Sequence, residues 1–118
     1  MNSSFEAARD HFLRGTALLE QGQAADAEQA LLASLGLLPG RASTLANLGV
    51  ARLQLGRPRE ALAALDQAAA AEPGAAGTWC HRALALAALG DDGEALRSLD
   101  RALAVDAGHA AARHQRAL

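Results

Sequence analysis

The sequence predicts an all-α fold in which units of short helices stack one after another along the chain. Three observations predict it: residues of one type recur at a constant spacing, apolar residues follow the period of a helix, and glycine or proline separates the helical segments. The constant spacing is a 34-residue step, which leads from Gly22 to Gly56 and again from Gly56 to Gly90. A single closed core gives no reason for such a repeat, whereas each stacked unit buries its apolar face against the next one.

Leucine and alanine supply the apolar face of the second helix in each unit. These residues recur at i, i+4, i+7 and i+8, which places them on one side of a helix. The positions hold Ala27, Leu31, Ser34 and Leu35, then Ala61, Leu65, Ala68 and Ala69, and then Ala95, Leu99, Ala102 and Leu103. Both residue types are strong helix formers, and no alternating run argues for a strand.

Capping and turn residues indicate where the helices begin and end. Ser3 is followed three residues later by Glu6, and Asp91 by Glu94, and such pairs cap the start of a helix. Pro58 suits the first turn of a helix, and the repeated glycines suit the end of one. These signals predict seven helices, over residues 4–20, 24–37, 42–55, 58–71, 76–89, 92–105 and 109–118.

The repeat resembles the tetratricopeptide repeat (TPR), a helix–turn–helix unit of the same length. The middle unit carries the resemblance best, with Leu48-Gly49, Gly56 at the turn, Ala61, Leu65 and Ala68 in the second helix, and the closing Pro73. In the third unit, Trp79 stands where the family has its tryptophan. The resemblance implies a right-handed α-solenoid of antiparallel helix pairs, with repeats over 8–41, 42–75 and 76–109 and a terminal helix over 110–118. We expect a single domain over 1–118 that forms the N-terminal module of a larger protein.

Three arginines depart from the family pattern. Arg14 and Arg82 fall where the family has leucine, and Arg52 falls where it has an aromatic residue. In one interpretation their alkyl stems cover apolar surface while the guanidinium reaches water or an acid such as Glu20 or Asp100. In the other interpretation they bind a carboxylate or phosphate of a partner.

Composition and charge narrow the class of protein. The net charge is −2 and both signs are interleaved along the chain, so a basic surface for nucleic acid or membrane is not expected. No apolar stretch is long enough for a membrane span, and the N-terminus lacks the features of a signal peptide. The single cysteine fits a reducing compartment, so we expect a cytoplasmic protein. All eleven basic residues are arginine, which together with abundant alanine and leucine indicates a bacterial source.

The sequence contains no motif of a phosphate-binding loop, a dinucleotide site, a serine hydrolase or a zinc protease. Cys80 and His81 are the nearest to reactive groups, and His114 follows Cys80 by one 34-residue step. A metal site needs three or four converging ligands, and only His109 adds to these residues. Nothing supplies an oxyanion hole or an orienting acid for a Cys–His nucleophile pair. We therefore expect no catalytic residue, no metal and no cofactor.

The TPR resemblance implies that the first helix of each unit lines a concave groove. On this basis the candidate partner-binding residues are Phe12, Thr16, Leu19, Asn47, Val50, Leu53, Gln54, Cys80, His81 and Leu84. A chaperone-binding TPR subclass holds a peptide carboxylate with lysine, asparagine and arginine. Among the matching positions here, which hold Phe12, Thr16, Asn47, Gly77 and His81, only the asparagine fits. The groove is therefore expected to be mainly apolar and to take an amphipathic helix or a hydrophobic peptide.

The leading expectation is a non-enzymatic scaffold for protein–protein interaction, with a protein or peptide as its partner. One alternative is a self-assembly module that forms a homo-oligomer. Another is an N-terminal regulatory module of a larger bacterial enzyme. In a further alternative, the next helix of the same protein fills the groove.

Overall fold

The computed structural model describes residues 3–117, which form seven α-helices and no strand. The helices are α1 (Ser4–Glu20), α2 (Ala24–Leu37), α3 (Ala42–Gln54), α4 (Pro58–Ala71), α5 (Ala76–Ala88), α6 (Asp92–Val105) and α7 (Ala110–Ala117). The predicted all-α class is confirmed. The third and fifth helices end one residue before their predicted ends, and α7 begins one residue after its predicted start. Met1 and Leu118, the predicted ends of the domain, lie outside the described residues.

Side-chain caps and a proline start three of the helices. The Ser3 Oγ accepts a hydrogen bond from the Glu6 N–H at 3.1 Å, and the Asp91 Oδ1 accepts one from the Glu94 N–H at 3.2 Å. Each cap satisfies an N–H group that the helix start leaves without a partner. Pro58 stands at the start of α4, where no N–H is needed.

A glycine in the left-handed conformation follows the first helix of each pair. Gly56 has a φ of +74°, and the glycines one repeat before and after it adopt the same conformation. The Gly56 N–H donates to the Leu53 carbonyl, and the Arg57 N–H donates to the Arg52 carbonyl. These two bonds satisfy carbonyls that the helix end leaves free, and they turn the chain back toward α4.

Consecutive helices pack in pairs, α1 with α2, α3 with α4 and α5 with α6, and each pair packs on the next one. Glycine lets the members of a pair approach closely, since a Cβ added at Gly49 would lie 2.5 Å from the Leu65 Cγ. Gly15 stands in the same relation to Leu31. Helix α7 packs against α5 and α6, and the result is an elongated solenoid of 49 × 26 × 21 Å.

Alanine and leucine form the core between the helices. Leu31 and Leu65 are fully buried, and each lies against the glycine of its own pair. Trp79 belongs to the first helix of the third pair, and its indole N–H donates to the Pro73 carbonyl at 2.9 Å. Between residues 3 and 117, no helix has the length and apolarity to cross a membrane.

Two of the unusual arginines have acidic partners within the chain. The Arg52 Nε lies 3.1 Å from the Glu28 Oε2, and the Arg82 Nε lies 2.6 Å from the Asp66 Oδ1. Both arginines thus reach an acid, as in the first interpretation, but the acids are Glu28 and Asp66 in place of the examples Glu20 and Asp100. The difference arises because each of these arginines faces the second helix of the preceding pair. Arg14, in contrast, is exposed.

Candidate partner-binding groove

The first helices of the pairs lie closer to one another than the second helices do. Helix α3 contacts both α1 and α5, and α5 contacts α7. Within the part of the chain that the structure describes, α2, α4 and α6 make no such contacts with one another. A stack that is tighter on one side curves toward that side. The face formed by α1, α3, α5 and α7 is therefore the concave one.

A cleft of about 290 Å³ lies on the concave face between α3 and α5. Its lining brings together three of the predicted partner-binding residues, Asn47, Val50 and His81. Ala46 adds an apolar side chain, and Glu72 adds a carboxylate. The cleft thus combines aliphatic surface with a small number of polar groups, which is the usual composition of a ligand site.

Asn47 is oriented by a short chain of hydrogen bonds that starts on α1. The Thr16 Oγ1 donates to the Phe12 carbonyl of its own helix at 3.0 Å. The Asn47 Nδ2 then donates to the Thr16 Oγ1 at 3.4 Å. This arrangement leaves the Asn47 carbonyl oxygen free of any hydrogen bond to the residues 3–117, so it is able to accept one from a ligand.

His81 contributes an uncharged ring to the cleft. Burial lowers the pKa of His81, and the nearby His109 acts in the same direction, against a smaller opposite effect of a hydrogen bond with the Gly77 backbone. A lowered pKa keeps the imidazole neutral at pH 7. The cleft therefore offers a neutral imidazole at the position where a carboxylate-binding groove needs a cation.

Four predicted residues turn their side chains toward the core. Phe12 and Leu19 pack around Leu31, and Leu53 packs in the cluster between α4 and α5. Cys80 is only 3% exposed. The chain at the start of α7 covers the Cys80 side chain, so Cys80 does not reach the groove surface as predicted.

Two further predicted residues are exposed but lie apart from the α3–α5 cleft. Gln54 is the last residue of α3. Leu84 is 45% exposed and lines a second cleft, of about 450 Å³, together with Leu96 and Gln115. Of the predicted residues, only Asn47, Val50 and His81 line the α3–α5 cleft, and Leu84 lies at a separate, exposed apolar position.

Cys80 lies beside His109 rather than beside His114, the neighbour that the 34-residue step suggests. The Cys80 Sγ is 3.6 Å from the His109 Nδ1, and the same nitrogen accepts a hydrogen bond from the Ala112 N–H at 3.3 Å. His109 therefore caps α7. Burial raises the pKa of the Cys80 thiol, which disfavours the thiolate. No group of three metal-ligating side chains occurs within residues 3–117.

Glu28 is a buried charge that was not predicted from the sequence; it is 6% exposed between the first and second pairs. Its Oε2 accepts hydrogen bonds from Arg52 at 3.1 Å and from Arg57 at 3.0 Å. A signal was present in the repeat, since Leu62 and Leu86 stand one repeat after Glu28 and Arg52. Two charged residues that replace apolar ones at facing positions indicate a buried ion pair.

Several solved structures share this architecture. The Arabidopsis OM64 TPR domain is 19% identical, covers 98% of this chain and 95% of its own, and has a TM-score of 0.94. The first TPR of Spaghetti (RPAP3), bound to the HSP90 peptide SRMEEVD, is 18% identical, with coverage of 96% and 90% and a TM-score of 0.91. YrrB, described as a TPR protein with an unusual peptide-binding site, is 23% identical, with coverage of 96% and 58% and a TM-score of 0.89.

The sequence comparisons identify the family directly. No curated protein sequence gives a significant match. The sequence profile of the tetratricopeptide repeat, in contrast, matches residues 46–112, which is more than half of the chain. With its constant repeat step, its stacked helix pairs and this match, the chain belongs to the tetratricopeptide repeat family.

Proposed function

We propose that this chain is a non-enzymatic protein-interaction scaffold that binds a peptide or an amphipathic helix of a partner on its concave face. The observation that carries the proposal is the cleft between α3 and α5, where Val50 and Ala46 lie beside the polar groups of Asn47 and His81. Apolar anchors of the ligand would pack on the aliphatic side chains. The Asn47 amide would hydrogen-bond a backbone group of the ligand and so define its position.

The rigidity of the groove supports this mechanism. Each side of the cleft is a helix whose own backbone hydrogen bonds are satisfied, and Asn47 is held by Thr16 on the neighbouring helix. A surface that is ordered before the ligand arrives loses little entropy on binding, so more of the contact energy contributes to affinity. The peptide complexes formed by TPR structures such as that of RPAP3 are consistent with such a use of this fold.

The ligand that fits this groove differs from an acidic tail. A carboxylate would require a cation at the cleft, but the lining contains the neutral His81 ring and the acidic Glu72. A negatively charged peptide would be repelled by Glu72 and would gain no ion pair there. We therefore infer an apolar or amphipathic ligand with little negative charge.

The experiment uses Val50→Arg against a matched control, Val105→Arg. Both substitutions place an arginine at an accessible valine, but Val105 is 44% exposed at the end of α6, away from the groove. Each protein is immobilised, and the proteins retained from a cell extract are identified by mass spectrometry. A protein held by the wild type and by Val105→Arg, but lost by Val50→Arg, supports the groove. Equal retention by all three proteins contradicts it.

A self-assembly module is the second candidate, and the cleft around Leu84 favours it. Leu84 and Leu96 are 45% and 41% exposed and lie together on its lining. Apolar side chains that are exposed side by side often mark a protein interface. If a second copy covers them, the mass in solution rises with concentration, and Leu84→Arg abolishes that rise. A mass that stays monomeric at every concentration contradicts self-assembly.

A further inference from the structure

A larger cleft lies on the convex side of the solenoid, opposite the groove. It has a volume of about 750 Å³ and lies between α4 and α6, with α5 as its floor. Its charged lining consists of three arginines and three acids around Trp79. We call it the convex cleft and define it by Asp66, Trp79, Arg82, Arg97 and Arg101.

Each acid of the convex cleft already has an arginine partner. The ion pairs are Asp66 with Arg82 at 2.6 Å, Glu94 with Arg97 at 2.8 Å, and Asp100 with Arg116 at 2.9 Å. The Arg82 Nη1 also donates to the Ser98 Oγ at 2.7 Å, so this guanidinium is held on two sides. The negative charge that the cleft presents is therefore compensated within the protein.

Arg101 differs from the other arginines of the cleft. Within residues 3–117, no acidic side chain lies at ion-pair distance from it. Its guanidinium carbon lies 4.5 Å from the centroid of the Trp79 ring, closer than that of Arg82, which lies at 5.8 Å. The ring attracts the cation, and the Trp79 indole is itself held by the Pro73 carbonyl. The cleft therefore holds one oriented guanidinium that has no counter-charge among residues 3–117.

The equivalent position one repeat earlier has a different character. Leu45 and Gln67 stand there in place of Trp79 and Arg101. Trp79 stands at a position where the family has a tryptophan, so the arginine over the ring is the more specific feature. Gln67 shows that the preceding repeat stacks without such an arginine.

We propose that the convex cleft binds a glutamate or aspartate side chain on a peptide segment of a protein partner. The Arg101 guanidinium presents two parallel N–H groups, which match the two oxygens of a carboxylate. A single uncompensated positive charge suits a singly charged carboxylate better than a phosphate dianion. Ala69, Ala70 and Pro73 line the cleft beside the cation and would receive the alkyl part of the ligand. This site is independent of the concave groove.

Trp79 makes the site directly observable, since it is the only tryptophan of the chain. Its indole N–H gives a single resonance in a nitrogen–proton NMR spectrum. We would titrate the protein with the peptide acetyl-Ala-Leu-Glu-Leu-Ala-amide, and with the same peptide carrying Gln in place of Glu. The Glu peptide should shift the resonance saturably, and the Gln peptide should bind about tenfold more weakly, because the charge-assisted hydrogen bonds are lost.

Matched variants identify the group responsible. Arg101→Ala should lose the preference for Glu over Gln, and Arg101→Lys should lose most of it, since an ammonium lacks the planar fork. Arg113→Ala removes an exposed arginine of α7, away from the cleft, and should bind like the wild type. Far-UV circular dichroism checks that each variant keeps its helices.

Four outcomes would overturn the proposal. The two peptides could bind equally, or Arg101→Ala could keep the preference for Glu. Inorganic phosphate at matched ionic strength could shift the indole resonance at lower concentration than the Glu peptide, which would identify a phosphate site. Val50→Arg could abolish binding of the Glu peptide, which would move its site to the concave groove. Retention of the preference by Val50→Arg, together with its loss in Arg101→Ala, supports the convex cleft.

Discussion

Arg52 on α3 and Glu28 on α2 form an ion pair between the first and second helix pairs, with 3.1 Å between Nε and Oε2. Glu28 is 6% exposed, and the Arg57 Nη1 lies 3.0 Å from the same oxygen. One repeat later, the equivalent positions hold Leu62 and Leu86, which pack in one apolar cluster. An ion pair thus joins the first helix pair to the second, whereas an apolar contact joins the second helix pair to the third. The two boundaries therefore differ in the kind of contact that joins them.

Replacement of one member of this pair should destabilise the protein far more than replacement of both. Glu28→Leu leaves the Arg52 guanidinium without its partner and should lower the free energy of unfolding by about 3 kcal/mol. The double variant Glu28→Leu/Arg52→Leu reproduces the leucine pair of the next boundary and should recover to within about 1 kcal/mol of the wild type. Urea unfolding followed by circular dichroism measures both. Equal stability of the single and double variants would contradict the coupling.

Acid should weaken the same boundary. Burial alone would raise the pKa of Glu28, but the hydrogen bonds from Arg52 and Arg57 and the attraction of their charges together outweigh it and lower that pKa. Because the pKa is lower in the folded state, the stabilisation is complete above the unfolded pKa of about 4.3 and is lost as the pH falls through the folded pKa. We expect the unfolding free energy of the wild type to fall more steeply below about pH 4 than that of Glu28→Leu/Arg52→Leu. Parallel pH profiles would exclude Glu28 as the cause.

Gly49→Ala should destabilise the second helix pair. The added Cβ would lie 2.5 Å from the Leu65 Cγ, and Leu65 is fully buried, so the Leu65 side chain or the helices would have to shift. Overpacking of this kind lowers the free energy of unfolding by about 1–3 kcal/mol. Gly36→Ala is the control, since its Cβ meets nothing within 4 Å on an exposed face of α2. It should stabilise the protein by about 0.5–1 kcal/mol, and thermal unfolding that ranks the two variants in the opposite order would contradict the close approach.

The Cys80 thiol should react slowly in the folded protein. It is 3% exposed, and burial raises its pKa, so both access and the thiolate fraction are reduced. We expect Ellman's reagent to modify Cys80 much faster in denaturant than in buffer. His109→Ala removes the ring that lies against the sulfur and should accelerate the reaction in buffer. Equal rates in folded and unfolded protein would show that the thiol is accessible.

The helices and their ends can be predicted from the sequence because the interactions that form them involve residues close to one another in the chain. The caps at Ser3 and Asp91 each use a residue three positions later, and the turn at Gly56 needs only a backbone that tolerates positive φ. The apolar stripes and the 34-residue period also predict which helices pair, because each stripe has one neighbouring helix to pack against. For these reasons the seven predicted helices agree with the structure to within one residue at the boundaries described.

The positions of individual site residues follow less directly from the sequence. Helical spacing places Cys80 on the same helix as His81, but it does not tell which of them the following helix covers. In the structure, the chain at the start of α7 places His109 against Cys80, whereas His81 stays at the edge of the groove cleft. The repeat suggests His114 as the neighbour of Cys80, yet the packing of α7 brings His109 there.

The sequence by itself therefore determined the repeat and the helices. Through the TPR resemblance, it also implied that the first helices of the pairs line a concave groove. Only the tertiary structure decided that Glu28 is the partner of Arg52, and that Arg101 lies over Trp79 with no acidic side chain of residues 3–117 at ion-pair distance. The reason is physical. Helix formation and capping depend on contacts within a few residues of the chain, whereas ion pairs and clefts depend on how far one helix pair is rotated and shifted on the next. That offset arises from the packing of all side chains at the boundary together, so no single residue or spacing encodes it.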